Sequence, residues 1–286
     1  LLNIVIVGGG ATGIEVAGIL SEMKKFVLPN DYPDMPSSLM HIYLIEAGPR
    51  LLAGMSEESS AHAEQFLREM GVNILLNKRV VDYRDHKVVL EDGTEIATRT
   101  FIWVSGVTGV TIGNLDASLI GRGGRIKVDS FNRVEGMNNV FAIGDQCIQV
   151  ADEDYPNGHP QLAQVAIQQG ELLAKNLVRM EKGREMKPFH YRNLGSMATV
   201  GRNRAVAEFS KVKMQGWFAW VMWLVVHLRS ILGVRNKVIV LLNWVWNYFT
   251  YDQSMRMIVY ARKAKEIRDR EKLEETTHWG KEPVSY

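Results

Sequence analysis

Three glycines near the start of the chain have the spacing of a phosphate-binding loop. Residues 3–20 read NIVIVGGGATGIEVAGIL, in which an apolar run over 4–7 enters Gly8-x-Gly10-x-x-Gly13 and leaves into a helix-like stretch. Gly8 permits a tight turn, Gly10 lets the backbone approach phosphates, and Gly13 lets helix and strand pack closely. The N-terminus of the helix offers free N–H groups and a positive dipole end to a pyrophosphate. The pattern predicts a dinucleotide site; the alternative is a tight strand–helix turn without a ligand.

An acidic residue after the next apolar strand indicates which dinucleotide is bound. The strand predicted over 41–45 ends in Glu46, whose carboxylate can accept hydrogen bonds from adenosine ribose hydroxyls and would repel a 2′-phosphate. The pattern therefore favours NADH over NADPH, with Arg50 nearby as a charge that could offset the repulsion. Glu46 lies further from the glycines than the usual roughly 20 residues. The segment 28–40, with three prolines, explains the excess as an inserted loop.

The remainder of the first hundred residues predicts a wound α/β unit of Rossmann type. Ser56 is the expected N-cap of a helix that runs to about Met70, and Gly71 stands at its C′ position. Three elements should follow: a strand over 72–76, a hairpin over 88–96, and a strand over 101–104 before Ser105-Gly106. We therefore expect an NADH-binding domain over residues 1–107.

Composition excludes several classes of protein. The chain has 286 residues, of which 46% are hydrophobic and 23% charged, so it can bury a core. Its net charge of +2 argues against nucleic acid as a partner. The single cysteine, Cys147, excludes an internal disulfide or a Cys-x-x-Cys redox or zinc site within this chain, and we expect it to pack as a small buried residue. We expect no metal site and no secretory signal.

A second cofactor signal lies at residues 138–147, which read NNVFAIGDQC. A strand predicted over 140–143 ends in Gly144-Asp145, and in two-dinucleotide flavoproteins an aspartate so placed holds a ribityl hydroxyl of FAD. The alternative is an ordinary turn at a strand end. The order of elements, including the strand before Ser105-Gly106, resembles the second half of a flavoprotein pyridine-nucleotide reductase. We find no second Gly-x-Gly-x-x-Gly. The ADP half of the FAD site should therefore lie in a first segment outside this chain.

The residues that follow identify the kind of reductase. HPQLAQVAIQQGELLAKNL (159–177), FHYRNLGSMATVGRNRAVAEF (189–209) and the early GIEVAGIL resemble the type II NADH dehydrogenases, or alternative NADH:quinone oxidoreductases. The resemblance implies hydride transfer from NADH to FAD and reduction of a membrane quinone, without proton pumping. It also implies that Glu15 and Gln164 lie near the isoalloxazine and the quinone headgroup, and that Ala166 touches the flavin. Ile167 departs from members that carry histidine there, so proton delivery through that position is open.

The residues themselves support more than one interpretation. On a helix, Gln164 and Gln168 are one turn apart and share a face, so both amides can point to one site. The alternative is that both are solvated. Glu15 has a structural alternative as well, as a first-turn carboxylate that complements the helix dipole.

Residues 216–249 raise the question of a membrane. Two apolar runs, 217–228 and 238–246, flank the sequence SILGVRNK, and no acidic residue lies between Glu208 and Asp252. Each run is shorter than the roughly 20 residues that a spanning helix needs. Tryptophan-rich helices with basic flanks are typical of chains that lie in the interface. The alternative is a buried helix pair, within one core or between the copies of a homodimer. We expect residues 262–272 to form a solvated helix.

We accordingly expect an α/β fold in three parts: an NADH-binding domain (1–107), the returning part of an FAD domain (108–185) and a C-terminal region with membrane-surface helices (186–286). The expected location is the cytoplasmic face of the inner membrane, as a peripheral protein. Two other functions stay open at this stage. One is a soluble flavin-dependent NAD(P)H reductase with a protein or disulfide acceptor, and the other is a non-catalytic nucleotide-binding fragment.

Overall fold

The computed structural model describes residues 2–250 except 35, 111 and 211. Its contacts divide the chain into two units, Leu1–Ser230 and Ile231–Tyr286. The domain boundaries at residues 107 and 185 remain predictions. The helix expected over 262–272 lies outside the described residues.

The first hundred residues form two sheets and the helices that cover them. The strands are β1 (Ile4–Val7), β2 (Ile42–Ile45), β3 (Val72–Leu75), β4 (Val80–Arg84), β5 (Lys87–Leu90), β6 (Glu95–Ala97) and β7 (Thr100–Trp103). The helices are α1 (Ala11–Glu22), α2 (Leu28–Asp31) and α3 (Glu57–Glu69). Strands β3-β2-β1-β7 make a parallel sheet in that order, and β4-β5-β6 make an antiparallel sheet. The predicted Rossmann-type α/β unit is confirmed.

Both faces of the parallel sheet are buried, which explains its almost uninterrupted apolar strands. On one face, Val5 and Val7 pack with Val88 and Leu90 of the antiparallel sheet. The opposite face packs against α1 and α3, in a core that includes Ile6, Ile14, Leu44 and Leu67. The carboxyl ends of β1, β2 and β7 therefore reach one rigid edge, where ligands bind in folds of this type.

The expected helix signals are confirmed, whereas the inserted loop is shorter than predicted. The Ser56 side chain accepts a hydrogen bond from the Ser59 N–H, and Gly71 follows α3 with φ +83°. After α1, however, the chain continues through a π-helical turn, Met23–Val27, into α2, so residues 28–31 are helical. Pro29 is tolerated there because it lies in the first turn, where its missing N–H is not needed.

Residues between 105 and 195 contain little regular structure. Two short parallel strands, β8 (Ile126–Lys127) and β9 (Cys147–Ile148), precede the long helix α4 (Ala163–Glu181). The strand predicted over 140–143 is wrong: the segment is extended, but it pairs only through an isolated bridge between Arg133 and Phe141. An apolar run forms a regular strand only where a neighbouring strand pairs with it along its length. Among the described residues, 140–143 have no such neighbour. Cys147 is buried, as expected.

The C-terminal part of the first unit packs against the helices that cover the parallel sheet. The antiparallel strands β10 (Ser196–Gly201), β11 (Arg204–Phe209) and β12 (Val212–Gln215) lie against α1, and helix α5 (Gly216–Ser230) covers them on the other side. A Cβ at Gly18 of α1 would lie 1.6 Å from the Val200 carbonyl oxygen, so helix and strand are in very close contact. Ala219 of α5 packs on Ala205 and Ala207 of β11.

The second unit begins with helix α6 (Val234–Thr250), in which the structure finds no buried residue. The two apolar runs of the sequence thus form two helices, and the break between them includes Gly233 with φ +82°. Over the described residues, no helix combines the length and the apolar character needed to cross a membrane.

Candidate functional site

The glycine loop has the geometry that the sequence predicts. β1 ends at Val7, Gly8 takes φ +116°, and Gly10 precedes the first residue of α1. A Cβ at Gly13 would lie 1.8 Å from the Gly8 carbonyl oxygen, so only glycine fits there. A Cβ at Gly10 would meet no atom within 4 Å. The backbone therefore faces open space at the start of α1, which is where a pyrophosphate would approach.

Glu46 lies directly against this loop. One carboxylate oxygen accepts a hydrogen bond from the Gly9 N–H at 2.6 Å, and the other accepts one from the Gly48 N–H at 2.7 Å. Arg50 donates instead to the carbonyls of Met55 and Ala53, and it forms no ion pair with Glu46. The negative charge at the end of β2 is therefore fixed beside the loop and is not neutralised by Arg50.

The segment after β7 continues along the same edge. The N–H of Val104 donates to the Val7 carbonyl, and a Cβ at Gly8 would lie 3.0 Å from the Ser105 backbone. Gly106 has φ +81° and open space around its Cβ position. The predicted site residue Gly106 thus directly follows Ser105, the residue that contacts the glycine loop.

Asp145 is exposed in a short helical turn, Gly144–Gln146. Gly144 has φ +66°, and a Cβ there would lie 3.2 Å from the Ala166 side chain on α4. The turn and the start of α4 are therefore in contact. This arrangement joins three residues predicted to bind the flavin, Gly144, Asp145 and Ala166.

Gln164 and Gln168 do share one face of α4, but the amides of both bind backbone. Gln164 donates to the Gly195 carbonyl at 3.1 Å and accepts from the Leu194 N–H at 3.0 Å. Gln168 donates to the Arg192 carbonyl at 2.9 Å and accepts from the N–H of the same residue at 3.1 Å. The two side chains hold the irregular segment 192–195 along the helix, so neither amide is merely solvated.

Glu15 contacts the C-terminal sheet. It is the fifth residue of α1, and no acidic residue lies in the first turn, so the alternative interpretation of Glu15 as a first-turn carboxylate is wrong. The Thr199 hydroxyl on β10 donates to a Glu15 carboxylate oxygen at 3.3 Å. The carboxylate therefore lies between α1 and β10.

A buried His159–Asp152 contact supports the segment that the two glutamines hold. The His159 ring contacts an Asp152 carboxylate oxygen at 3.0 Å, and the same oxygen accepts from the Tyr191 N–H. Burial raises the pKa of Asp152, but the hydrogen bonds from His159, Tyr191 and Asp154, with the His159 charge, outweigh that effect. The net pKa of Asp152 lies below its ordinary value, so the carboxylate is charged at neutral pH.

Several contacts of the site could not be found from sequence. Thr199, Gln161 and Gln169 each bind a predicted site residue or its turn, yet none of them stands in a recognisable motif. Their partners are distant in sequence, so only the fold brings them together. In the described residues, no group of three or more His, Cys, Asp or Glu side chains is placed to hold a metal ion.

The sequence matches two family profiles. Residues 2–170 match the pyridine nucleotide-disulphide oxidoreductases, and residues 193–251 match the NDH2 C-terminal domain. It is 35% identical to the type II NADH:quinone oxidoreductase NdhA of Mycobacterium tuberculosis, over 85% of this chain and 53% of that protein. It is 32% identical to the mitochondrial internal alternative NAD(P)H-ubiquinone oxidoreductase A1 of Arabidopsis thaliana, over 87% of this chain and 51% of that one.

A solved structure shares the fold. NDH2 from Plasmodium falciparum in complex with NADH superposes with a TM-score of 0.78 at 19% identity, over 87% of this chain and 66% of that one. The chain spans about half the length of the curated relatives that it matches. It belongs to the pyridine nucleotide-disulphide oxidoreductase family and, within it, to the type II NADH dehydrogenases.

Proposed function

We propose that this chain is the NADH-binding and C-terminal part of an NADH:quinone oxidoreductase that passes electrons from NADH through FAD to a membrane quinone without pumping protons. The glycine loop carries the proposal. Gly8 and Gly13 close the turn, while Gly10 leaves space at the positive end of α1. The relatives are named for the same reaction, and because the chain covers about half of their length, the activity is proposed for the whole protein.

The preference for NADH over NADPH follows from Glu46. Its carboxylate is fixed by the Gly9 and Gly48 N–H groups, and no arginine pairs with it among the described residues. A ribose diol can donate to such a carboxylate, whereas a 2′-phosphate meets an uncompensated negative charge. The single residue Glu46 would thus bind the adenosine ribose of NADH and disfavour the 2′-phosphate of NADPH.

Calorimetric titration of the chain with NADH and with NADPH tests this assignment. We expect NADH to bind at least about tenfold more tightly, the ratio for about 1.4 kcal/mol. Glu46→Gln keeps the size and the acceptor but removes the charge, so it should narrow the ratio mainly by improving NADPH binding. Arg50→Gln is the matched control, because its guanidinium binds two carbonyls away from the carboxylate. Equal affinities of the wild-type chain for the two nucleotides would refute the assignment.

The residues around Asp145 fit the ribityl and isoalloxazine end of FAD. Gly106 has positive φ and open space at its Cβ position, which leaves room for a ligand at the backbone. Gly144 also has positive φ and packs against Ala166, and the neighbouring Asp145 is exposed. Bound FAD supplies the redox chemistry, which is acceptance of two electrons from NADH and their transfer to the quinone. For this chain we assign Asp145 to a ribityl hydroxyl, with Gly144, Gly106 and Ala166 as neighbouring contacts.

The acceptor end is assigned to Glu15, Gln164 and Gln168. Thr199 orients the Glu15 carboxylate, and the two amides hold the backbone of 192–195. The glutamines therefore act at the acceptor site by fixing this segment, and a direct contact of Gln164 with a quinone would require one of its two backbone bonds to open. Ile167 is exposed and carries no group that transfers a proton.

The membrane surface is proposed to bind α5 and α6. Their exposed large side chains include Trp217, Phe218, Val225, Leu242, Trp246 and Phe249. Arg229, Arg235 and Lys237 lie at the break between the helices, and the sequence has no acidic residue from 209 to 251. Lys213, by contrast, pairs with Glu58. Apolar insertion and attraction to anionic lipid, about 1 kcal/mol per basic residue, would act together. The location proposed is the cytoplasmic face of the inner membrane, with a homodimer as the competing use of this surface.

Co-sedimentation with phosphatidylcholine–phosphatidylglycerol vesicles separates the contribution of apolar insertion from that of charge attraction. High salt should weaken binding without abolishing it, because the apolar part does not depend on charge. Leu242→Glu with Trp246→Glu, both on exposed positions of α6, should abolish it without loss of folding. Arg235→Gln with Lys237→Gln should remove only the salt-sensitive part. A glutamate variant that still sediments with vesicles would reject the surface, and loss of dimers in that variant would assign it to a second copy.

A further inference from the structure

Glutamine side chains bind the backbone of the Asp145 turn at two of its three residues, and the third residue is itself a glutamine. The Gly144 N–H donates to the Gln169 side chain at 2.7 Å, and the Asp145 carbonyl accepts from Gln161 at 3.1 Å. The third residue, Gln146, binds another segment through its side chain. Its amide donates to the Val110 carbonyl at 2.7 Å and accepts from the Val110 N–H at 2.8 Å. Gln161 and Gln169 belong to the region of α4, whereas Gln146 alone among the three reaches a different part of the fold.

Val110 lies in the segment that leaves the nucleotide edge. That segment begins at Ser105, against Gly8, and it is anchored at Gly109 by a hydrogen bond to the Gly123 carbonyl at 2.8 Å. Val110 is five positions after Ser105, so at most about 18 Å of chain joins the residue beside Gly8 to the residue that Gln146 binds. The described structure thus contains a short, continuous connection between the glycine loop and the Asp145 turn.

The form of the Gln146 contact determines what it transmits. A side-chain amide that binds both the N–H and the C=O of one residue fixes its distance and its orientation, as a bridge between two strands does. The contact is partly exposed, so water can replace it at little cost in stability. Its main effect is therefore on position, and Val110 itself is 73% exposed and packs little by its side chain.

We propose that Gln146 is a positioning residue that ties the Asp145 turn to the segment 105–110, so that a nucleotide bound at the glycine loop orders the turn that carries Asp145. The inference rests on the proposed function and deepens it. A nucleotide bound at Gly8–Gly13 would reduce the motion of Ser105 and, through the backbone, that of Val110. Because Gln146 binds Val110, the motion of the neighbouring Asp145 would be reduced as well. A site that is already ordered loses less conformational entropy when its ligand binds, so NADH would prepare the flavin-side carboxylate for its partner.

Amide hydrogen exchange, followed residue by residue by NMR in the chain of 286 residues, tests the connection. In the wild-type chain, saturating NADH should slow exchange about tenfold at residues 105–110 and at residues 144–147. In Gln146→Ala the first set should slow as before, and the second should change less than about twofold. Gln146→Glu keeps an acceptor for the Val110 N–H but loses the donor, and it should fall between the two.

Two controls separate positioning from general damage. Gln65→Ala removes an exposed glutamine on α3 that binds Glu69 on its own helix, and it should behave as wild type. The midpoint of thermal unfolding of Gln146→Ala should change by no more than about 4 °C, because an exposed bond contributes little. In the absence of NADH, this variant should already show faster exchange at the Val110 N–H.

Each remaining outcome decides the question. If residues 144–147 respond to NADH equally in Gln146→Ala, or not at all in the wild-type chain that binds NADH, the inference is wrong while the proposed function stands. If calorimetry detects no NADH binding to the wild-type chain, the proposed function and the inference fall together.

Discussion

The glycine loop and the Asp145 turn hold their backbones in opposite ways. At the glycine loop the backbone is fixed by the absence of side chains: Gly13 contacts the Gly8 carbonyl so closely that no Cβ fits. At the Asp145 turn the backbone is fixed by side chains, since Gln169 and Gln161 bind it and Gln146 ties it to Val110. The first lies at the edge of a four-stranded parallel sheet, and the second follows a segment that has no continuous ladder.

This difference indicates how each part can change. A loop made of glycines at the end of a buried sheet is rigid, and alteration of one glycine affects both the fold and the ligand. A turn held by amides can lose one contact and keep the others, because each bond contributes only about 1 kcal/mol. The glycine loop should therefore tolerate little substitution, whereas the Asp145 turn can be altered in steps.

The largest effect is expected for Gly13→Ala. The new Cβ would lie 1.8 Å from the Gly8 oxygen, so α1 and β1 must move apart. We expect NADH affinity to fall about a hundredfold or more and the free energy of unfolding to fall by about 2–3 kcal/mol. Calorimetry with NADH and urea unfolding measure the two quantities.

Gly10→Ala is the matched control for the comparison. Gly10 has extended backbone, φ −75°, and a Cβ there meets nothing within 4 Å. The free energy of unfolding should stay within about 0.5 kcal/mol of wild type, while NADH affinity still falls because the methyl group enters the space left for the pyrophosphate. If the two alanine variants were equally stable, the close contact at Gly13 would not hold the loop.

The sequence predicts the glycine loop well because its causes are local. Gly8, Gly10 and Gly13 act through their own backbone and a helix that begins at once, so spacing alone is informative. Ser56 and Gly71 are predictable for the same reason, as local signals at the ends of α3. The four-stranded sheet follows from apolar runs that are buried on both faces.

The Asp145 turn is less predictable from sequence because the residues that hold it are distant in sequence. Asp145 was recognisable from Gly144-Asp145 after an apolar run, yet residues 140–143 do not form a strand in a ladder. Gln169 follows Gln168 directly, but a helix turns by about 100° per residue, so adjacent glutamines face different neighbours. One binds Arg192 and the other binds Gly144, a distinction that only the fold reveals.

Acid should destabilise the segment around Asp152 and residues 191–195 before it affects the glycine loop. Hydrogen bonds and the His159 charge outweigh burial and hold the pKa of Asp152 below its ordinary value. The stability from this lowered pKa is fully present above the ordinary value and is lost as pH falls through the lower folded-state value. Asp152→Asn should therefore cost about 2–3 kcal/mol at neutral pH, since a buried charged acceptor is lost, and should reduce the acid dependence.

Urea unfolding between about pH 3 and pH 7 measures that dependence. Asp154→Asn is the control, because it changes an exposed carboxylate in the same loop. It should leave both the stability and its pH dependence near wild type. Hydrogen exchange at residues 191–195 should rise first in acid, ahead of residues 8–13, and a simultaneous rise in both would show that the two regions do not open separately.

The smallest effect, and the most specific one, is expected for Gln169→Ala. Gln169 is 1% exposed, and its side chain accepts from the Gly144 N–H at 2.7 Å and contacts the Cys147 sulfur. Truncation leaves that N–H without its partner and opens a small cavity, which together should cost about 1–3 kcal/mol. Gln168→Ala, whose amide binds Arg192 near the surface, should cost at most about 1 kcal/mol.

Cys147 supplies a direct readout of this change. The thiol is buried, and burial raises its pKa despite the opposing hydrogen bonds from Gln169 and Asn132 and the charge of Arg125, so it should react slowly with a thiol reagent in the native chain. Loss of the Gln169 side chain opens a path to the sulfur, and labelling of the folded protein should become faster in Gln169→Ala but not in Gln168→Ala. Equal labelling rates in the two variants would mean that the turn is held without the buried amide, and the Asp145 region would then resemble the glycine loop more than its contacts indicate.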